Sequence, residues 1–299
     1  MPEGHTLHRL AEGIRERFGG RRVRVSSPQG RFAEAAALLD RTCVVDAQAW
    51  GKQLFVEFEG SRFVQVHLGL IGSFDLFDGP APPPRGAVRL RLETDAEVAG
   101  PAPSLSHADL RGATVCALLT GDQRQAVLDR LGPDPLRDDA DWAKAWARIT
   151  RSRKSIGALL MDQAVLAGVG NVYRAELLYR HRMHPLRPGN TLRRSQFESM
   201  WGDLVTLMRE GVRTGRIDTV RADHTPEAMG RDPRVDDHGG EVYVYRRHSQ
   251  PCLVCGASIR TQLLEGRNLF WCPRCQPKFR SRAGTGPARL GRQAGAKGA

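Results

Sequence analysis

The chain has 299 residues, enough for two domains with separate cores, and its 45 Lys and Arg against 33 Asp and Glu leave a formal charge of +12. That excess points to a polyanionic partner, nucleic acid first among them. No apolar run approaches the roughly 18 residues of a membrane span, and no signal peptide is read at the start, so a soluble, cytoplasmic protein without a membrane partner is expected.

Six cysteines occur, four of them in two close pairs near the C-terminus, with Cys43 and Cys116 alone. This is the usage of a metal site plus two core thiols and not of a secreted disulfide framework.

The chain opens Met1-Pro2-Glu3-Gly4. Removal of Met1 would make the Pro2 nitrogen a terminal secondary amine. An α-amino group titrates near about 8, against about 10.4 for lysine, so part of it is neutral and nucleophilic at neutral pH. Its attack on a sugar C1′ would give an iminium ion, with Glu3 next in sequence to carry protons. Pro-Glu is equally a good helix start. Leu7, Leu10, Ala11, Ile14 and Phe18 then recur at helical spacing and predict an amphipathic helix over 3–18.

After Gly19-Gly20 the period changes to two. Val23 and Val25, then Leu54, Val56 and Phe58, then Val64, Val66 and Leu68, then Val88, Leu90 and Leu92 read as short strands of an antiparallel sandwich. Lys52, in Trp50-Gly51-Lys52-Gln53-Leu54, follows a glycine turn at the mouth of a strand. It can reach a phosphate or move a proton there, or be a solvated surface residue. In His67-Leu68-Gly69-Leu70-Ile71-Gly72 two glycines flank an apolar pair. A tight loop with Leu70 at its tip suits a wedge between bases, while an ordinary hairpin with a buried leucine is the plainer alternative.

Beyond Asp122 the alternation stops. Helices are expected over 123–131, 142–150, 156–163 and 173–179, with Gly168-Val169-Gly170-Asn171 between the last two. Such a turn can aim backbone N–H groups and a helix N-terminus at a phosphate, with Asn171 adding a side-chain donor. Ser195 and Glu198 form a possible capping box for a long helix to about 212. Residues 216–240, poor in apolar side chains, are expected to form a long mobile loop.

Cys252-x2-Cys255, sixteen residues, then Cys272-x2-Cys275 is the spacing of one tetrahedral, structural zinc site. Two ribbon strands are expected between the pairs, with Arg267 near their turn, able to clamp a phosphate. The tail 277–299, with six basic and no acidic residues, is expected to be disordered.

These motifs, in this order, resemble the bacterial formamidopyrimidine-DNA glycosylase/endonuclease VIII family. The resemblance runs from Met1-Pro2-Glu3-Gly4 through Gly51-Lys52-Gln53-Leu54, His67-Leu68-Gly69-Leu70 and Gly168-Val169-Gly170-Asn171 to Trp271-Cys272-Pro273-Arg274-Cys275-Gln276. It implies an α+β fold: an N-terminal β-sandwich with a leading helix (1–119), a helix–two-turns–helix domain (120–240), a four-cysteine zinc finger (241–276) and the basic tail. It implies a monomer at the nucleoid acting on damaged double-stranded DNA, with one structural zinc ion and no organic cofactor.

By the same resemblance Pro2 is the Schiff-base nucleophile and Glu3 the proton donor. Lys52 assists β-elimination and Arg267 δ-elimination. Arg130 and Asn171 hold the DNA backbone, and Leu70 fills the vacated space. Base excision from a duplex requires the nucleotide to be rotated out.

His5-Thr6 and Gly69 depart from related branches, and only Asp109-Leu110-Arg111-Gly112 stands where one branch has an arginine-phenylalanine run. These departures favour the endonuclease VIII side and oxidised pyrimidines as substrates. Two other classes fit parts of the chain. A noncatalytic zinc-ribbon DNA-binding protein would not need Pro2, and a metal-dependent nuclease would need an open Asp/Glu/His cluster that the sequence does not offer.

Overall fold

The computed structural model describes residues 2–95, 105–235 and 240–279. Helix α1 (Gly4–Phe18) turns Leu7, Ala11, Ile14 and Phe18 inward, as its spacing requires. It is followed by β1 (Arg22–Ser26), α2 (Ala33–Leu39), β2 (Thr42–Trp50), β3 (Gln53–Phe58), β4 (Arg62–His67), β5 (Ser73–Asp78), β6 (Val88–Thr94), β7 (Ser106–Arg111) and β8 (Val115–Leu119).

The strands run in the order β5-β7-β6-β1-β2-β3-β4-β8, and every neighbouring pair is antiparallel. The halves β5-β7-β6-β1 and β2-β3-β4-β8 are joined in strand pairing by the short register Arg22↔Cys43 and Val23↔Thr42. They fold over one another there as a β-sandwich. Val23, Val25, Leu90, Leu92 and Leu110 from one half share a core with Val44, Leu54, Val56, Val64 and Val66 from the other and with the buried face of α1. Each such side chain contributes about 1.5–3 kcal/mol on burial.

Strand β7 sends Ala108 and Leu110 into the core and buries the polar His107 and Asp109 on its other face. Asp109 accepts from Arg91 Nε at 2.7 Å and Nη2 at 2.8 Å, and from Arg111 Nη2 at 2.7 Å. Asp109-Leu110-Arg111 is therefore sheet interior, with Leu110 fully buried.

The second half begins with α3 (Gly121–Leu128), closed by a Thr120/Gln123 capping box, and continues through α4 (Trp142–Thr150), α5 (Ile156–Leu159), α6 (Asn171–Arg180), α7 (Arg194–Thr214) and α8 (Pro226–Met229). The ribbon of β9 (Arg260–Leu264) and β10 (Arg267–Trp271) ends the described fold. Tyr173, Leu177 and Leu178 of α6, Met200 and Leu204 of α7, Val242–Tyr245 and three of the paired cysteines form one core.

Three expectations need correction. The helix over 156–163 is one turn long, because Asp162 and Gln163 spend their side chains on the loop that follows. Helix α7 starts at Arg194, and Gln196 Oε1 accepts the Arg193 N–H at 3.1 Å, so Ser195 is not its cap. The described part of 216–240 is anchored and not a free loop. Thr219 is fully buried, and Arg231 Nη2 meets Glu241 Oε2 at 2.6 Å. The tail from residue 280 and residues 236–239 lie outside the described residues.

Glu176 makes that anchor. Its buried carboxylate accepts the N–H groups of Tyr243, Val244 and Tyr245 at 2.7, 2.8 and 2.8 Å and the Thr219 hydroxyl at 2.7 Å. Glu176→Gln turns an amide N–H2 toward donors. It is expected to lower stability by about 1–3 kcal/mol for each donor left unpaired, measured as a lower denaturant midpoint. An unchanged midpoint would remove this role.

Candidate active site and metal centre

Pro2 and Glu3 precede α1, and Glu3 is its N-cap residue without capping it through its side chain. The side chain serves another helix. Oε2 accepts the Gly170 N–H at 2.9 Å and the Tyr173 N–H at 3.3 Å, and Oε1 accepts the Val172 N–H at 2.8 Å. The first turn of α6, whose own cap position is a glycine, is thus satisfied by a carboxylate from the start of the chain. The helix N-terminus expected to face a phosphate faces Glu3.

Glycines make the approach possible. Gly4 N–H donates to Gly168 O at 2.8 Å, and a Cβ on Gly4 would lie 2.8 Å from Gly168 Cα. A Cβ on Gly170 would collide with the Glu3 carboxyl group. Gly51, at φ +60°, would place a Cβ 2.9 Å from Ala167 Cβ and Gly168 N. Three segments therefore meet backbone to backbone: the start of α1, the β2–β3 turn and the loop before α6.

Lys52 leaves that turn into the same space. Burial pushes its ammonium below the ordinary lysine range; Glu3 opposes the shift, and Arg267 and Arg174 add to it. His67 is lowered by burial and by Lys52. Glu3, Lys52, Arg174 and Arg267 therefore lie within electrostatic reach of one another, although they come from α1, a hairpin, α6 and the ribbon.

Arg174 was not singled out by sequence, although it stands on an otherwise apolar helix face. It is 1% exposed, and burial brings it down to about 10. Its guanidinium donates to Asn171 Oδ1, to Gly157 O at 3.4 Å and to Asn268 O at 3.2 Å. Asn171 Nδ2 donates to the same Asn268 carbonyl at 3.0 Å. The α6 N-terminus is thus tied to the residue after Arg267.

Lys154, Asp162, Arg174, Glu265 and Arg267 line a cavity of about 270 Å³ between α5 and the ribbon. Arg130 lies apart, exposed, with Nε on Ala126 O at 3.1 Å. Leu70 and Ile71 are 54% and 89% exposed at the tip of the β4–β5 loop.

The four paired cysteines bring all their sulfurs within 4.8 Å of one another, with Cys252–Cys275 at 3.9 Å and Cys255–Cys272 at 3.5 Å. Tetrahedral zinc at about 2.3 Å from each thiolate needs edges of about 3.8 Å, so the donors fit one ion and leave no open position. Gln276 locks the site to the helices: its Oε1 accepts from Cys272 N, and its Nε2 donates to Met183 O, both at 2.9 Å.

Three family models match the chain: the formamidopyrimidine-DNA glycosylase N-terminal domain over residues 1–116, the formamidopyrimidine-DNA glycosylase H2TH domain over 131–222, and the zinc finger found in FPG and IleRS over 249–278. The chain belongs to the formamidopyrimidine-DNA glycosylase/endonuclease VIII family of DNA-repair glycosylases, with a structural zinc finger.

Within it, the chain is 52% identical over 283 residues to Endonuclease 8 1 of Mycobacterium tuberculosis, covering 92% of this chain and 100% of that protein. It is 34% identical over 236 residues to a formamidopyrimidine-DNA glycosylase of Thermosynechococcus vestitus, covering 77% and 78%. Its fold matches Lactococcus lactis Fpg in complex with abasic-site DNA at a TM-score of 0.71 and 20% identity, over 92% of this chain and 100% of that one. No helix among the described residues is long and apolar enough to cross a membrane.

Metal binding and folding of the finger are coupled. Cys272→Ser is expected to lose zinc and DNA binding together, whereas Arg267→Ala keeps zinc while weakening DNA binding. Metal analysis and a binding titration on both variants check this; zinc-free Cys272→Ser protein with full DNA affinity would refute it.

Proposed function

We propose that the protein is a bifunctional glycosylase and abasic-site lyase that removes oxidised bases, mainly pyrimidines, from duplex DNA. The observation that carries this reading is the anchoring of Glu3 by three backbone N–H groups of α6, beside Lys52 and Arg267. It fixes Pro2, the adjacent residue, at the meeting point of the three segments.

In this reading the Pro2 nitrogen, freed by loss of Met1, uses its lone pair to attack C1′. The C1′–base bond breaks, the base leaves with a proton, and the opened sugar carries an iminium at C1′. Glu3 handles the protons of base departure and ring opening. Loss of a C2′ proton then sends electrons out through the 3′ C–O bond, releasing the 3′ phosphate by β-elimination. Lys52, whose ammonium burial pushes below the ordinary lysine range, takes that proton. Loss of the C4′ proton then sends electrons out through the C5′–O bond and releases the 5′ phosphate, with Arg267 and the cavity beneath it receiving phosphate charge. Water adds to the remaining iminium, the C–N bond breaks, and the aldehyde and the free amine are released.

Arg130 and Asn171 bind the backbone, and the exposed Leu70 enters the space the nucleotide leaves. Asn171 would exchange its bond to Asn268 for a phosphate oxygen. Borohydride is expected to crosslink the enzyme to abasic-site DNA. Pro2→Gly, or retention of Met1, is expected to abolish or sharply reduce the adduct. Efficient trapping through a lysine in the Pro2 variant would sink the assignment.

Support for pyrimidines comes from the pocket side chains. Thr6 offers a hydroxyl, 3.3 Å from His5 Nε2, where a related branch has a carboxylate, and 109–111 is locked in the sheet instead of reaching toward an opposite base. Each specific polar contact to an enlarged purine is worth about 1–3 kcal/mol. A saturated pyrimidine is nonplanar and stacks poorly, so it costs less to rotate out. Thymine glycol and dihydrouracil are expected to be excised faster than 8-oxoguanine opposite cytosine in single-turnover assays on matched duplexes. The reverse order would place the protein's specificity with the formamidopyrimidine branch.

A further inference from the structure

Asp134 lies in the turn after α3, with a completely buried side chain. Its Oδ2 accepts the Gly51 N–H at 2.6 Å and the His8 Nε2–H at 2.7 Å, and its Oδ1 accepts the Leu136 N–H at 2.9 Å. His8 belongs to α1. Gly51 is the first residue of the two-residue turn closed by the Trp50↔Gln53 pair, and Lys52 is the second. One carboxylate thus joins the catalytic helix, the lysine-bearing hairpin and the second half of the chain.

The hairpin is gripped around that bond. Trp50 Nε1 donates to Gly132 O at 3.1 Å, and the Arg137 guanidinium lies 4.4 Å above the Trp50 ring. On the opposite side Ala167 and Gly168 approach Gly51, and Ala167 N–H donates to Pro133 O at 3.1 Å. The Gly51 N–H is buried, so without Asp134 it would lack an acceptor. Lys52 provides the only side chain beyond Cβ in the turn. A lysine amine on a flexible four-carbon stem is placed by whatever fixes its backbone.

We infer that Asp134, with His8 bonded to it, is a positioning residue for Lys52: it fixes the turn from which the amine reaches the abasic sugar. The inference rests on the role of Lys52 proposed above. Asp134 touches neither DNA nor the reacting atoms and acts through the hairpin. The groups facing the Lys52 amine are Glu3, Arg174, Arg267 and His67. A loosened turn admits water to the amine, and its pKa then moves up toward the ordinary lysine value. Because elimination needs the neutral amine, the rise of rate with pH moves to higher pH.

Asp134→Asn keeps the shape but removes the charge that holds the Gly51 N–H, and its amide N–H2 opposes Leu136 in one orientation and both Gly51 and His8 in the other. Single-turnover cleavage of a preformed abasic-site duplex is expected to fall about tenfold or more, the scale of a small misplacement of a catalytic group. DNA affinity and zinc content should stay near wild type, and the ascending limb of the pH profile should move to higher pH. In a Lys52→Ala background the same substitution should cost little further.

His8→Ala should show part of the defect, and His8→Gln, whose amide reaches the same oxygen, should recover it. Wild-type cleavage with an unmoved pH limb in folded Asp134→Asn overturns the inference, as does a full additional loss in the Lys52→Ala background. If Asp134→Asn does not fold, equal rates for His8→Ala and His8→Gln overturn it. A wild-type enzyme that gives no borohydride adduct would defeat the Schiff-base reading, and this inference with it. A wild type that traps and cleaves, matched by Asp134→Asn, defeats this inference alone.

Discussion

The carboxylate of Glu3 in the first turn of α6 is the interaction on which the site depends. A helix N-terminus leaves backbone N–H groups without partners, and a glycine at the cap position supplies no side chain to take them. Glu3 takes three of them in a fully buried place. Charge-assisted bonds of this kind are worth about 1.5–3 kcal/mol each. The same contact that completes a helix in the second half orients the first residues of the chain. Removing the carboxylate would therefore strip α6 of its cap and release the start of α1 at the same time.

Around that contact the protein gathers cations between interior and solvent, with Arg174 buried, Lys52 half-buried and Arg267 exposed. Lys52 feels Arg267 and Arg174 as repulsive neighbours and Glu3 as its counter-charge. Arg174 is itself buried and spends its donors on Asn171 and the Asn268 carbonyl. The ribbon is held from below by the cysteines, which share a core with α6 and α7. The four-cysteine site thus underlies the strand pair that presents Arg267.

Much of this was legible in the sequence. The 3.6-residue spacing of Leu7, Ala11, Ile14 and Phe18, the alternation around Leu54 and Val64, and the paired cysteines each follow from a local period or spacing. Strand β2 was not legible because a register shift between Val44 and Asp46 breaks its alternation. Strand β7 was hidden because both its faces are buried: Ala108 and Leu110 enter the core, while His107 and Asp109 are buried on the opposite face, Asp109 bonded to Arg91 and Arg111. Arg174 and Asp134 escaped for the same reason. Their value lies in partners far along the chain, and local pattern carries no trace of those partners. The glycines at 51, 168 and 170 signalled turns, but not that three turns touch.

The bonds between Glu3 and α6 span 167 to 170 residues of sequence. Contacts so distant in the chain close late, because the entropy of a large loop must be met before they form. During synthesis the first residues leave the ribosome long before the segment that will receive Glu3 exists. Until residues 168–173 have folded, the Glu3 carboxylate lacks the donors that hold it, and the Gly51 turn lacks the backbone it packs against. The junction of the chain's first residues with the β2–β3 turn and the loop before α6 is therefore completed only when α6 arrives.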